Sequence, residues 1–335
     1  MQAMLTSIEI CAGAGGQALG LEHAGFSHQL LIDNDVHACN TLKANRPLWN
    51  VKQGSVSDLT LSDFRNSVDL FAGGVPCPPF SMAGKQLGQD DERDLFPHAL
   101  RLIAECRPRA IMLENVKGLL SSKFSAYRKH ILDSLSEMGY YGEFKLIQCS
   151  DFGVPQLRPR TILIATLRNI WEYFLWPDPL IHPQTHASTA ILDLLEADGW
   201  SVPTDLAKKL DRIAPTIVGG SKKHGGPDLG PTRAKQEWHS MGINALGVAN
   251  DPPQGSFTGL PKLTCKMVAR LQGFPDDWLF SGGKTAQYRQ IGNAFPPPAA
   301  AAIARQLFSA LSDSKVRAFR KSRQSVPLLS REKTA

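Results

Sequence analysis

The sequence lacks most of the features that quickly place a protein in a class. Its six cysteines (Cys11, Cys39, Cys77, Cys106, Cys149 and Cys265) include no C-x-x-C pair. That argues against a zinc ribbon and against a disulfide framework, and it fits a reducing cytoplasm, where each thiol is judged by its own surroundings. No apolar run reaches the roughly 18 residues of a membrane span, and the N-terminus has no signal-peptide pattern. Internal repeats and low-complexity blocks are absent. His182 and His186 are four apart, but Pro183 lies between them and no acidic partner follows, so no metal site is expected. What is left is an ordinary globular composition, 42% hydrophobic and 20% charged over 335 residues. This is enough for one large α/β domain and a smaller second one, and the expectation is a soluble cytoplasmic protein.

Charge of one sign is only mildly in excess. A net charge of +6 and a pI near 9.0 permit a polyanionic partner without requiring one. Residues 305–335 hold eight Lys/Arg against two Asp/Glu, and the basic tail 313–335 reads as a flexible terminus.

Along the first 165 or so residues, short apolar runs alternate with helical patterns, the mark of a doubly wound, mostly parallel sheet. Strands are expected at 5–11, 29–33, 68–72, 110–114, 142–149 and 161–166. Helices are expected at 17–24, 36–45, 94–106 and 125–138, the last capped by Gly139. From 176 to 261 periodicity weakens and Pro, Gly, His and Lys become frequent, which reads as a smaller, loop-rich recognition domain. Helical pattern returns at 264–271 and 298–311. The expected division is therefore 1–175 with 262–312 as one domain and 176–261 as the other.

Four local patterns carry chemistry. The first strand empties into Ala12-Gly13-Ala14-Gly15-Gly16 before a helix, a turn whose backbone can approach a ligand beside a helix N-terminus. Asp33 ends the next strand, where a carboxylate can hold two ribose hydroxyls. NAD, FAD and adenosylmethionine sites all use such a turn, although the glycines do not form a clean G-x-G-x-x-G. The third strand runs into Gly73-Gly74-Val75-Pro76-Cys77-Pro78-Pro79-Phe80, a proline-stiffened loop at a strand's carboxyl end, where a cysteine is poorly explained as packing. Nucleobase zinc deaminases carry P-C-x-x-C and H-x-E; here position 80 is Phe and no H-x-E occurs. Glu114-Asn115-Val116 ends the fourth strand, and Gln156-Leu157-Arg158-Pro159-Arg160 leads into the sixth.

Together with Arg270-Leu-Gln-Gly-Phe-Pro275 and Gln290-Ile-Gly-Asn293, these motifs resemble, in order, those of the DNA (cytosine-5) methyltransferases, over roughly residues 5–300. The resemblance implies an S-adenosylmethionine-dependent enzyme acting on double-stranded DNA, monomeric, of restriction-modification type, with a possible cognate endonuclease. It implies Cys77 as the nucleophile, Glu114 as the group that holds the base at N4 and N3, and Arg160 with Arg158 at its O2. It further implies a cofactor site of Cys11, Gly13, Gly15, Gly16, Asp33, Asn34, Ser55, Val56, Pro76, Leu95, Asn293 and Ala294, and a mobile lid at 78–96. The chain departs from the family's usual pattern at Cys11 (usually Phe), Ser55 (usually Asp) and Pro78 (often Gln). Lys222, Lys223, Arg233, Lys235 and Arg270 are the expected DNA contacts. Three alternatives are kept: the same chemistry on tRNA, a nicotinamide dehydrogenase using the glycine turn, and a non-catalytic DNA-binding protein.

Overall fold

The structure is a computed structural model and describes residues 4–76, 94–180, 184–220 and 226–324. Cys77, Lys222, Lys223 and the lid segment 78–93 lie outside the described residues.

Seven strands form one sheet: β1 (Leu5–Ile10), β2 (Phe26–Asp33), β3 (Val51–Gln53), β4 (Leu70–Gly74), β5 (Ala110–Val116), β6 (Tyr140–Gln148) and β7 (Pro159–Leu167), in the order β3-β2-β1-β4-β5-β7-β6. β1 to β5 pair in parallel, while β7 runs antiparallel to both β5 and β6. The six expected strands are all present. β3 was missed because three residues are too few to show a period.

The chain moves outward from β1 through β2 to β3, then returns to the other side of β1 as β4. That reversal makes a crevice at the carboxyl ends of β1 and β4, the place where open α/β sheets bind ligands. The glycine turn and Pro76 both lie at this rim.

Helices cover both faces. α3 (Phe96–Cys106) buries Phe96, Ala99, Leu102, Ile103 and Cys106, a three-four spacing that keeps one stripe on the sheet. It packs there with α4 (Ser125–Glu137) over Ile10, Phe71 and Ile111. Gly139, with φ +94°, closes α4, as its position predicts. On the opposite face α1 (Gly16–His23) lies against α11 (Pro297–Gln324). A Cβ at Gly20 would stand 2.5 Å from the Ala300 Cβ and 2.8 Å from the Ala301 nitrogen, so the two helices meet nearly backbone to backbone.

The stretch 176–261 is less loop-like than its sequence suggests. α6 (Ala187–Leu195), α7 (Thr204–Leu210) and α8 (Thr232–Ser240) lie within it. Trp200, Ile217, Leu229 and Trp238 are buried there with α9 (Cys265–Leu271) and α10 (Lys284–Asn293), in a core that continues into Leu19 and Leu42. Two-turn helices separated by Pro and Gly show too few periods to read, and tertiary burial stabilises them.

Candidate active site

A cavity of about 760 Å³ opens at the sheet's carboxyl rim, within the range of small-molecule sites. Each wall can be traced to a local cause. β1 ends at Ile10, and Cys11 after it takes a left-handed φ of 51°, followed by Gly13 at 53° and Gly15 at 85°. This sharp turn faces the cavity with Cys11, Ala12, Gly13, Ala14 and Gly16. Asp33 fixes it from β2: its Oδ2 accepts from the Gly13 N–H at 2.8 Å and its Oδ1 from the Asp35 N–H at 2.8 Å. Asp35 in turn caps α2 (Val36–Asn45) by accepting from the His37 N–H at 2.8 Å, and it pairs with Arg289 of α10 at 3.2 Å. Asn34, Ser55, Val56, Pro76, Leu95, Asn293 and Ala294 complete the lining, so the expected cofactor residues converge.

Two of the expected site residues lie outside this lining. Gly15 does not line the cavity; its Cα faces Leu42 and Trp278, where a Cβ would lie 2.6 and 3.0 Å away, so its value is in packing and in the left-handed start of α1. Arg158 does not line it either. Its side chain is fully buried (0% exposed) behind the site, donating to the Ile217 carbonyl at 2.7 Å, the Gly292 carbonyl at 2.7 Å and the Ala294 carbonyl at 2.9 Å. The alternation of β7 sends neighbours two apart to one face only inside the strand, and Arg158 stands just before it.

Glu114 and Arg160 do meet in the cavity. The Arg160 Nε lies 2.7 Å from the Glu114 Oε1, and both side chains are about 90% buried, with 12% and 10% exposed. The pairing follows from register: β7 runs antiparallel beside β5, with Val116 opposite Arg160 and Glu114 opposite Ile162. Burial pushes the Glu114 carboxyl above the usual carboxylate range, while the Arg160 and Arg158 guanidinium charges oppose the rise. All five described cysteines are pushed up, with burial the largest cause in each. None of these five is therefore poised as a thiolate.

Glu9, Gln17, Asp35 and Arg289 also line the cavity and were missed by sequence reasoning. The signal for Glu9 was available, since a carboxylate inside a strand otherwise buried demands a reason. Its Oε2 and the Gln17 Oε1 are buried without a hydrogen-bond partner among the described residues, and burial followed by the nearby Asp33 charge pushes Glu9 well up. Two unpartnered acceptors beside Asp33 suit a ligand that brings a positive charge and N–H donors.

Of the expected DNA contacts, Arg233 is exposed at 90% and pairs with Glu237 on its own helix at 3.2 Å, and Lys235 is held by Asp228 at 2.6 Å. Arg270 is engaged within the protein. It bonds Asp276 on its own side and Asp193 and the Ala190 carbonyl of α6, tying α9 to α6.

Comparison with known proteins shows the family. The sequence model of the C-5 cytosine-specific DNA methylases matches residues 5–309. The chain is 55% identical over 313 residues to the type II methyltransferase M.NaeI of Lentzea aerocolonigenes, covering 92% of this chain and 76% of that one. It is 50% identical over 309 residues to M.NgoMIV of Neisseria gonorrhoeae, covering 91% and 98%. Among solved structures, the Entamoeba histolytica methyltransferase EhMeth superposes with a TM-score of 0.65 at 17% identity, over 94% of this chain and 99% of that one. A mutant of Spodoptera frugiperda DNMT2 does so with 0.63 at 20%, over 91% and 99%. At those identities the structures speak for the fold.

Proposed function

The chain belongs to the C-5 cytosine-specific DNA methylase family, and on that premise we propose that it methylates one cytosine within a specific duplex sequence by covalent catalysis from Cys77. The observation that supports this most is the convergence, in one cavity, of the Glu114–Arg160 pair with the glycine turn, Asp33 and the acceptors Glu9 and Gln17.

The wall residues fit S-adenosylmethionine. Asp33 suits the ribose hydroxyls, Ser55 and Val56 the adenine edge, and Glu9 and Gln17 the ammonium of the methionine part, with Cys11, Gly13, Gly16, Asn34, Pro76, Leu95, Asn293 and Ala294 enclosing it. When bound, this cofactor supplies an electrophilic methyl group.

Cytosine C5 is a poor nucleophile, and a base inside a duplex cannot reach the cavity, so the target nucleotide is flipped out. The Cys77 sulfur bonds to C6, and the C5–C6 π electrons shift so that the ring becomes an enamine with a nucleophilic C5. Glu114 accepts from the N4 amino group and gives N3 a proton as negative charge builds there; burial raises this carboxyl and so favours its holding a proton, while the Arg160 and Arg158 charges oppose that. Arg160 donates to O2, and its charge also restrains Glu114. Once C5 carries the methyl group, loss of the C5 proton to a base and return of the N3 proton to Glu114 restore the C5–C6 double bond and the neutral ring, and the Cys77 sulfur leaves as a thiolate.

Residues 1–175 and 262–312 form the catalytic domain and 176–261 recognise the target, while the basic segment expected to be a flexible tail from 313 continues α11 as far as Gln324. Lys222, Lys223, Arg233 and Lys235 contact phosphates, whereas Arg270 acts as an internal tie. The enzyme works as a monomer in a prokaryotic cytoplasm, beside a restriction endonuclease of the same specificity.

Bisulfite sequencing of DNA from cells expressing the chain tests activity and target together, with labelled methyl transfer to DNA and to tRNA run in parallel. The expected result is one methylated motif in DNA, lost in Cys77→Ala. Labelling of tRNA alone, or full methylation by Cys77→Ala, overturns the proposal.

A further inference from the structure

We infer that the strap of residues 217–220, inside the stretch assigned to target recognition, buttresses a wall of the methyl-donor site from behind, and that Gly219 is a positioning residue for cofactor binding. The inference rests on the reading of the main cavity as an S-adenosylmethionine site.

The sequence here, Thr216-Ile-Val-Gly-Gly220, looks like an ordinary surface turn. In the structure it is held at every residue. Ile217 is fully buried; its N–H donates to the Gln156 Oε1 at 2.8 Å and its carbonyl accepts from Arg158 at 2.7 Å. The Val218 carbonyl accepts from the Tyr288 hydroxyl at 3.1 Å, and the Gly220 carbonyl from the Asn293 side-chain amide at 3.1 Å. Between them Gly219 lies directly on Gly292. A Cβ on Gly292 would be 2.5 Å from the Gly219 Cα, and one on Gly219 would be 2.5 Å from the Asn293 Oδ1 and 2.7 Å from both the Arg289 carbonyl and the Asn293 nitrogen. Those obstacles are largely backbone, so neither glycine can carry a side chain unless the strap or α10 moves.

What the strap presses on is the end of α10 that walls the cavity. Arg289, Gln290, Asn293 and Ala294 line it, and they occupy the last turn of α10 and its exit. The same guanidinium that holds Ile217 also holds the carbonyls of Gly292 and Ala294. Gln156 extends the connection through Gln272, whose side-chain amide donates to the Ile291 carbonyl at 2.7 Å. Strap and cavity wall thus share a buried set of polar partners. Interiors are packed closely enough that a methyl inserted between the two glycines displaces one of them.

The experiment measures S-adenosylmethionine binding to the full-length protein by calorimetry, with donor KM and kcat in parallel. Gly219→Ala is expected to raise the cofactor Kd and the donor KM about tenfold while kcat at saturating donor changes little. Tyr288→Phe, which removes one hydroxyl from the interior of the strap contact, is expected to raise both about threefold. If Gly219→Ala does not fold, Tyr288→Phe decides alone. Tight wild-type binding with an unaltered Kd in the folded variants overturns this inference and leaves the functional reading intact. Failure of the wild type to bind S-adenosylmethionine removes the functional reading itself. A fall in kcat with unchanged Kd also overturns the inference, because the strap would then act on chemistry and not on the cofactor wall.

Discussion

Burial raises the Glu114 carboxyl, and the Arg160 Nε at 2.7 Å opposes that rise. The balance matters because the proposed role needs a proton that can be given to N3 and an oxygen that can accept from N4. A glutamine keeps the size and one acceptor but has no acidic proton, and it leaves the Arg160 charge without its counter-ion. Glu114→Gln is therefore expected to lower kcat by on the order of 10²- to 10⁴-fold, with cofactor Kd changed by less than about threefold, as steady-state rates and calorimetry would report. An unchanged kcat would remove Glu114 from the chemistry. At this scale the sequence was legible where a residue type was improbable in its setting, as with a carboxylate ending an apolar strand. It was not legible for Arg158 against Arg160. The two are separated by one residue, and only the start of β7 and the positions of Gly292 and Ala294 decide that one guanidinium turns inward and the other into the cavity.

Between elements, the contact of α1 with α11 shows how a C-terminal segment completes an N-terminal fold. Gly20 allows the helices to approach until Ala300 and Ala301 fill the space a side chain would take. Gly20→Ala improves intrinsic helix propensity by about 1 kcal/mol, yet the added carbon meets Ala300, Ala301 and the Pro297 carbonyl inside 3 Å. Overpacking of this kind costs about 1–3 kcal/mol. The variant is expected to be less stable than the wild type in urea, and a gain in stability would show that α11 is not seated there. The long helices and the parallel strands were readable because several turns or several alternations repeat the same signal. α6, α7 and α8 were not, since their short spans are defined by what buries them.

For the whole molecule, acid response follows from groups whose protonation differs between folded and unfolded chains. His28 bridges β2 to α1: its Nε2 donates to the Ala18 carbonyl at 3.0 Å, which leaves Nδ1 to accept from the Ser7 hydroxyl at 2.8 Å. Burial lowers its pKa from 6.5 to about 4, against the smaller opposing effects of the Ala18 carbonyl and Glu22. The unfolded chain therefore binds this proton first, and stability contributed by neutral His28 is lost as pH falls from 6.5 towards 4. Asp193 and Asp276, held low by hydrogen bonds from Arg270, lose their contribution over a still more acidic range. Glu9 and Glu114, raised by burial, act with the opposite sign. Urea midpoints measured at pH 7 and pH 5 are expected to differ more in the wild type than in His28→Gln; equal differences would mean that His28 has no part in it.

Six of the seven strands, the place of the glycine turn and of Glu114 at strand ends and, through the order of its motifs, the family were legible in the amino-acid sequence alone. Each of those is local: a period, a turn residue, or a polar group where an apolar one is expected. The tertiary structure alone decided that Arg158 is a buried staple and Gly15 a packing residue. It also decided that Arg270 ties α9 to α6, that Glu9 and Gln17 face the cavity, and that a plain-looking glycine turn at 219 bears on the cavity wall. These depend on contacts between residues far apart in the chain, Gly15 with Trp278 and Arg158 with Ala294 among them, and such contacts exist only after the chain has closed on itself and backbone carbonyls have found their partners.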